Sequence, residues 1–129
     1  MRKVCKQKYF LWGPVILWMG FIFCLSSVPG NEIPDLHIPN FHPLVHFVEY
    51  SVLTILLLRA FKGEYPDINA FRQIVSTILV VIIFAVTDEW HQTFVAGRSG
   101  KLPDAVTDTV YSIIAMLFYF KVIIKRRQG

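Results

Sequence analysis

Five carboxylic acids lie inside or at the edge of long apolar runs: Glu49, Asp88, Glu89, Asp104 and Asp108. Each would cost about 2.5–3.5 kcal/mol at the centre of a membrane helix, and less near its ends. Carboxyl groups crowded in a low dielectric cannot all ionise, so at least one is expected to keep a proton near neutral pH. An acid and base pair is then available, with His46 or His91 as an alternative proton carrier. Asp88, Glu89 and His46 are therefore the candidate catalytic groups. Arg98 has the guanidinium fork that holds a phosphate or carboxylate, or that pairs with Asp104 or Glu89.

Metal binding is the second chemistry these residue types support. His42 and His46 stand one helical turn apart and Glu49 a turn further, while Asp88, Glu89 and His91 follow on a later segment. Such nitrogen and oxygen donors suit a divalent ion, with His42, His46, Glu49 and His91 as candidate ligands. No His-Glu-x-x-His signature is present. Gly97 to Lys101 is a poor phosphate loop, because no glycine stands five residues before Gly100 and Leu102 follows the lysine. Ser26 and Ser27 lack an evident base in the sequence, and no Gly-x-Ser-x-Gly elbow occurs, which argues against a serine hydrolase.

The elements that must position these groups are long apolar segments. From Tyr9 to Asn31, 23 residues contain no Asp, Glu, Lys, Arg or His. A bilayer core of about 30 Å needs about 20 helical residues, so this run can span. With its tail trimmed at the Val28–Pro29 break, the first helix is expected at about 9–28, with three more at 41–61, 73–95 and 102–120. Pro29, Gly30, Pro34, Pro39 and Pro43 break the chain between the first two. Gly63 and Pro66 mark the next connection, and Gly97 to Lys101 the last, with Pro103 suited to a first helical turn. Basic residues ahead of an apolar run also suggest a signal peptide. The run is too long for a typical signal core, however, and no clear cleavage site follows. The expectation is an all-α integral membrane four-helix bundle of antiparallel hairpins, one domain over residues 1–129.

Eleven of the 13 basic residues flank the two termini or the second connection, and only Arg98 and Lys101 fall on the other side. By the positive-inside rule both termini are cytoplasmic. A net charge of +4 placed this way reads as a topology signal with lipid-headgroup contact, not as a nucleic-acid surface. A composition 54% hydrophobic and 17% charged excludes a disordered chain, and two cysteines exclude a disulfide scaffold. Cys5 and Cys24 are about 28 Å apart along a helix, so no bridge between them is expected, and Cys24 is expected to pack.

An alternating path brings the early second helix, late third and early fourth to one exterior layer. Glu49, Asp88 and Asp108 should lie about 9–12 Å below its edge. His42, His46, Glu49, Tyr50 and Thr54 share a face of the second helix. Asp88, His91 and Gln92 share one on the third, and Asp104, Asp108, Tyr111 and Ser112 one on the fourth. Turned inward, these stripes make a polar pocket open to the outer leaflet, although hydrogen-bonded helix glue is the plainer use for them. The inner halves look almost wholly apolar, which disfavours an ion or proton path.

His46-Phe47-x-x-Tyr50-x-x-Leu53 resembles the HF-x-x-Y segment of the VanZ-like membrane protein family. Asp88-Glu89-x-His91-Gln92-x-Phe94, then Gly97-Arg98-Ser99 and Asp104, resembles its second block. Together they cover about two-thirds of the chain. The resemblance implies a multi-pass protein of a bacterial plasma membrane, related to one that raises resistance to the lipoglycopeptide teicoplanin. It implies a characteristic polar set of His46, Tyr50, Asp88, Glu89, Gln92, Arg98 and Asp104, but no settled catalytic assignment. Pro43 stands where Lys is frequent, Asp108 where Asn is usual and Ser112 where Gly is usual; the added acid bears on proton or metal affinity. The expected function is action at the outer leaflet on, or shielding of, a lipid-linked cell-wall precursor. Arg98, Tyr50, Gln92, Asp104, Asp108 and Glu49 would contact the substrate. Non-catalytic headgroup binding or scaffolding is the alternative.

Overall fold

The structure is a computed structural model that describes residues 2–32 and 41–128, with side chains at 8–32, 42–123 and 125. Four helices follow one another: α1 (Arg2–Ser26), α2 (Phe41–Glu64), α3 (Ala70–Gln92) and α4 (Leu102–Gln128). The stretches long and apolar enough to cross a membrane are Lys8–Ser26, His42–Glu64, Ala70–Gln92 and Leu102–Ile123, of 19, 23, 23 and 22 residues. At about 1.5 Å per residue these measure about 29–35 Å, a bilayer's apolar thickness.

The helices extend beyond several expected ends. α1 begins at Arg2 and α4 runs to Gln128, because apolarity marks the span and the helix continues through its basic flanks. α3 is displaced three residues towards the N-terminus. Asn69 starts it by accepting a hydrogen bond from the Arg72 backbone N–H at 2.8 Å. Its far end tightens into three-residue turns, from the N–H groups of Thr93, Phe94 and Val95 to the carbonyls of Trp90, His91 and Gln92. Of the breakers between α1 and α2, Pro34 and Pro39 lie outside the described residues. Gly30–Glu32 forms a short 3-10 turn.

Contacts at both ends fix an up-down-up-down path. At the end that holds the chain termini, Lys8 pairs with Glu64 at 2.8 Å and the Arg59 guanidinium lies 4.8 Å from the centre of the Phe10 ring. There too the buried Gln73 donates to the Leu58 carbonyl at 2.8 Å. At the opposite end α1 meets α3, and α2 meets α4, through side chains described below. Between the ends, Ile22, Leu53, Leu57 and Val81 are fully buried and Phe84 nearly so, which closes the bundle interior. Large apolar side chains such as Ile16, Leu17, Ile83, Leu117 and Phe118 cover the outside, as acyl chains require. Cys24 is among the exposed residues, so the expected packing role is overturned: its position on α1 turns it away from the neighbouring helices.

Candidate functional site

The site is built where α1 and α3 end and α2 and α4 begin. Three helices bring their acids to this layer. Asp108 lies six residues into α4 and Asp88 four residues before the end of α3, about 9 Å and 6 Å along their axes. Glu49 lies about 12 Å into α2. Asp88 and Asp108 are each 1% exposed, Glu89 3% and Glu49 6%. None of these four acids points out towards acyl chains.

Asp88, Glu89 and Asp108 each have a particular set of partners. Asp88 Oδ2 accepts from Ser26 Oγ at 2.8 Å and from Gln92 Nε2 at 3.0 Å, which ties the end of α1 to α3. Glu89 Oε2 accepts from the Lys101 backbone N–H at 2.8 Å, while Oε1 receives only a long contact of 3.5 Å from Gln92 Nε2. Asp108 Oδ1 faces His46 Nδ1 at 3.1 Å, joining α2 to α4. The second oxygens of Asp88 and Asp108 are buried with no hydrogen-bond partner among the described residues. One level deeper, the Tyr50 carbonyl accepts from Thr54 Oγ1 at 2.7 Å and from Ser112 Oγ at 3.5 Å.

The segment between α3 and α4 is shaped by close backbone approaches. Gly97 adopts φ +72°, a left-handed conformation that glycine tolerates. The Gly30 N–H donates to the Ala96 carbonyl at 2.9 Å, and a Cβ on Gly30 would overlap the Gly97 carbonyl oxygen. A Cβ on Gly100 would overlap the Glu89 carbonyl oxygen and reach 2.9 Å from Thr93 Cγ2. Gly30 therefore lets the loop meet the turn after α1, and Gly100 lets it lie against α3, which brings the Lys101 N–H to the Glu89 carboxylate.

Above this layer opens a cavity of about 310 Å³ lined by His42, His46, Glu89, Gln92, Arg98, Asp104, Asp108 and Tyr111, among others. Seven expected site or ligand residues thus meet at one opening: His42, His46, Glu89, Gln92, Arg98, Asp104 and Asp108. Tyr50, Glu49 and Asp88 are buried behind its lining, and His91 faces α1. The His91 ring stacks on Phe23 with centroids 4.1 Å apart, and its Nε2 meets Ser27 Oγ at 3.0 Å. Ser27 gives its own proton to the Phe23 carbonyl at 2.7 Å, so His91 donates in this pair and the hydroxyl is not activated. Arg98 pairs with neither Asp104 nor Glu89. Its Nε and Nη2 donate to the carbonyls of Val28 and Leu25 at 3.1 and 3.2 Å, capping the end of α1, while its remaining N–H groups are left to the cavity it lines.

The donor set that comes together differs from the one expected from spacing. One ligand atom from each of His46, Glu89 and Asp108 lies within 4.8 Å of the others. Sequence reasoning also missed Ser26, Ser27 and the Lys101 N–H. Ser26 and Ser27 stand at the same exterior level as Asp88 and His91, the one signal that pointed to their pairing.

Four membrane-length helices in alternating directions, with carboxyl and imidazole groups gathered around an opening at one end, define a multi-pass membrane protein with an end-of-bundle polar site. The chain belongs to the VanZ/LLP1 family, whose model matches residues 11–125 and so runs through all four helices. No curated protein and no solved structure matches it.

Proposed function

We propose that the protein acts at the outer leaflet of a bacterial plasma membrane, with both termini cytoplasmic, on a lipid-linked cell-envelope component. Tolerance of glycopeptides such as teicoplanin would be its visible effect. The observation that carries this reading is the cavity of about 310 Å³ at the end of the bundle away from the termini, where α2, α3 and α4 each present an acid or imidazole beside Arg98. A lipid in the outer leaflet would enter laterally with its chains against the apolar faces and its anionic headgroup at the opening. Glu89 and His46 face that opening and are the groups placed to move a proton; Asp88, behind them, positions Gln92. The unused N–H groups of Arg98 orient the headgroup. The packed layer of Leu53, Leu57, Val81 and Phe84 below the site argues against a transport path.

The test is a teicoplanin susceptibility panel on cells that express wild type and the Asp88, Glu89 and Arg98 variants at equal membrane levels. Glu89→Gln should abolish the protective effect. Full protection by that variant would end the carboxylate mechanism.

A non-catalytic headgroup binder or scaffold is the second reading, favoured by the donors already spent on the site. Ser26, Gln92 and the Lys101 N–H occupy carboxylate oxygens, and Ser27 is committed to a backbone carbonyl. For a binder, each neutralising substitution weakens protection by degrees, and purified headgroup still binds.

A further inference from the structure

Three groups that line the cavity and lie within 4.8 Å of one another come from three helices: His46 on α2, Glu89 on α3 and Asp108 on α4. We propose that they form a divalent-cation site of the zinc or manganese class, open on its cavity side to an oxygen of an anionic headgroup. The headgroup part rests on the function proposed above; the cation site itself does not.

Geometry supports this set in three ways. Adjacent ligands of an ion held at about 2.0–2.2 Å stand about 3.0–3.5 Å apart for angles of 90–110°. The His46 Nδ1 to Asp108 Oδ1 distance of 3.1 Å already matches that spacing, so the ion would replace their mutual hydrogen bond. Glu89 closes the set from within 4.8 Å by a movement of about 1–1.5 Å, which its side-chain torsions allow. Next, the side chain of Asp108 is 2% exposed, yet Oδ2 has no partner among the described residues. A buried carboxylate oxygen without a donor is costly unless a cation or proton meets it. Finally, Glu89 is held at Oε2 by the Lys101 N–H, which leaves Oε1 with one weak contact and able to turn towards an ion.

Charge points the same way. Two buried carboxylates in a membrane layer carry a combined charge that a dication cancels, which lowers the penalty of placing them there. One imidazole with two carboxylates favours zinc or manganese over calcium or magnesium. Three protein ligands leave at least one coordination position for water or a phosphate oxygen.

The experiment uses the full chain purified in detergent, stripped with chelator and titrated with Zn²⁺ or Mn²⁺ alone by calorimetry. One ion per chain is expected, and Asp108→Asn, Glu89→Gln and His46→Gln should each weaken binding at least tenfold. Glu64→Gln, at the other end of the bundle, should leave it unchanged. Pulsed electron paramagnetic resonance on the Mn²⁺-loaded wild type gives a readout that needs no variant to fold: a ¹⁴N coupling from a bound imidazole is expected. No saturable binding, a Mn²⁺ signal without nitrogen coupling, or affinity unmoved by all three substitutions would overturn the site. Because no lipid is present, a failed titration leaves the headgroup reading to its own susceptibility test.

Discussion

Gly100→Ala is the sharpest probe of how the loop shapes the site. A Cβ at this position would overlap the carbonyl oxygen of Glu89, which is fixed within α3 and cannot yield. The loop must retreat instead, and with it the Lys101 N–H that stands 2.8 Å from Glu89 Oε2. Losing a hydrogen bond to a carboxylate costs about 1.5–3 kcal/mol, and forcing an extra methyl into a packed contact about 1–3 kcal/mol. The two overlap, so a combined destabilisation below their sum, about 2–4 kcal/mol, is expected. Gly20→Ala is the control: its Cβ meets nothing within 4 Å, and alanine in a helix interior should leave stability unchanged or raise it by up to about 1 kcal/mol. The assay is reversible unfolding in mixed detergent micelles followed by circular dichroism. Repeating Gly100→Ala in a Glu89→Gln background should shrink its effect by about 1–2 kcal/mol, the share carried by the charged acceptor. If Gly100→Ala unfolds within about 0.5 kcal/mol of Gly20→Ala, the loop does not lie against α3 as described.

Two stability predictions test the layers around the site. Ser26→Ala and Gln92→Leu each remove a donor from Asp88 Oδ2 and should each cost about 1–2 kcal/mol; the double variant should exceed the sum, since the last donor is then lost, and simple additivity in the same unfolding assay would show that the two do not share the carboxylate. Leu57→Ala, at a fully buried position, should cost about 2–5 kcal/mol, whereas Leu117→Ala, 67% exposed, should change stability by less than about 1 kcal/mol; equal effects would contradict the inward and outward faces assigned here.

The helices and the acid layer were legible because ionisable groups are too costly to scatter through lipid. Once Glu49, Asp88 and Asp108 are assigned to alternating segments, only one depth suits them all. What periodicity cannot supply is the rotation of each helix against its neighbours. Asp88 and Glu89 differ by about 100° around α3, and either could have faced the opening. The structure turns Glu89 to the cavity and Asp88 to Ser26. The same uncertainty hid where the face shared by Asp88 and His91 leads: His91 meets Phe23 and Ser27 on α1 and does not line the cavity. Helix ends were legible only to the edge of the apolar runs, since Arg2 to Lys8 and the residues after Phe120 continue their helices in polar surroundings. The Lys101 N–H was invisible for a different reason. Backbone donors carry no residue signature, and this one reaches Glu89 only because Gly100 permits the approach.

The depth of the layer follows from two opposing demands. Carboxylates nearer the bundle centre would meet the fully buried Leu53, Leu57 and Val81, which offer no donors. Moved outward into water, they would lose the restricted dielectric that strengthens their hydrogen bonds and any bound ion. Within about two helical turns of the end, Asp88 and Glu89 can still take donors from a helix terminus or a loop: Ser26 from the end of α1, Lys101 from the start of α4, Gln92 from the last turn of α3. In the other half of the bundle the buried polar groups of α3 are the neutral Gln73 and Thr77, where an acid would have neither a loop donor nor an opening to the cavity. The site is therefore as deep as its supply of donors allows. Asp88 and Asp108 mark that limit: beyond Ser26 and Gln92 for the one and His46 for the other, each keeps a buried oxygen with no donor within the described residues.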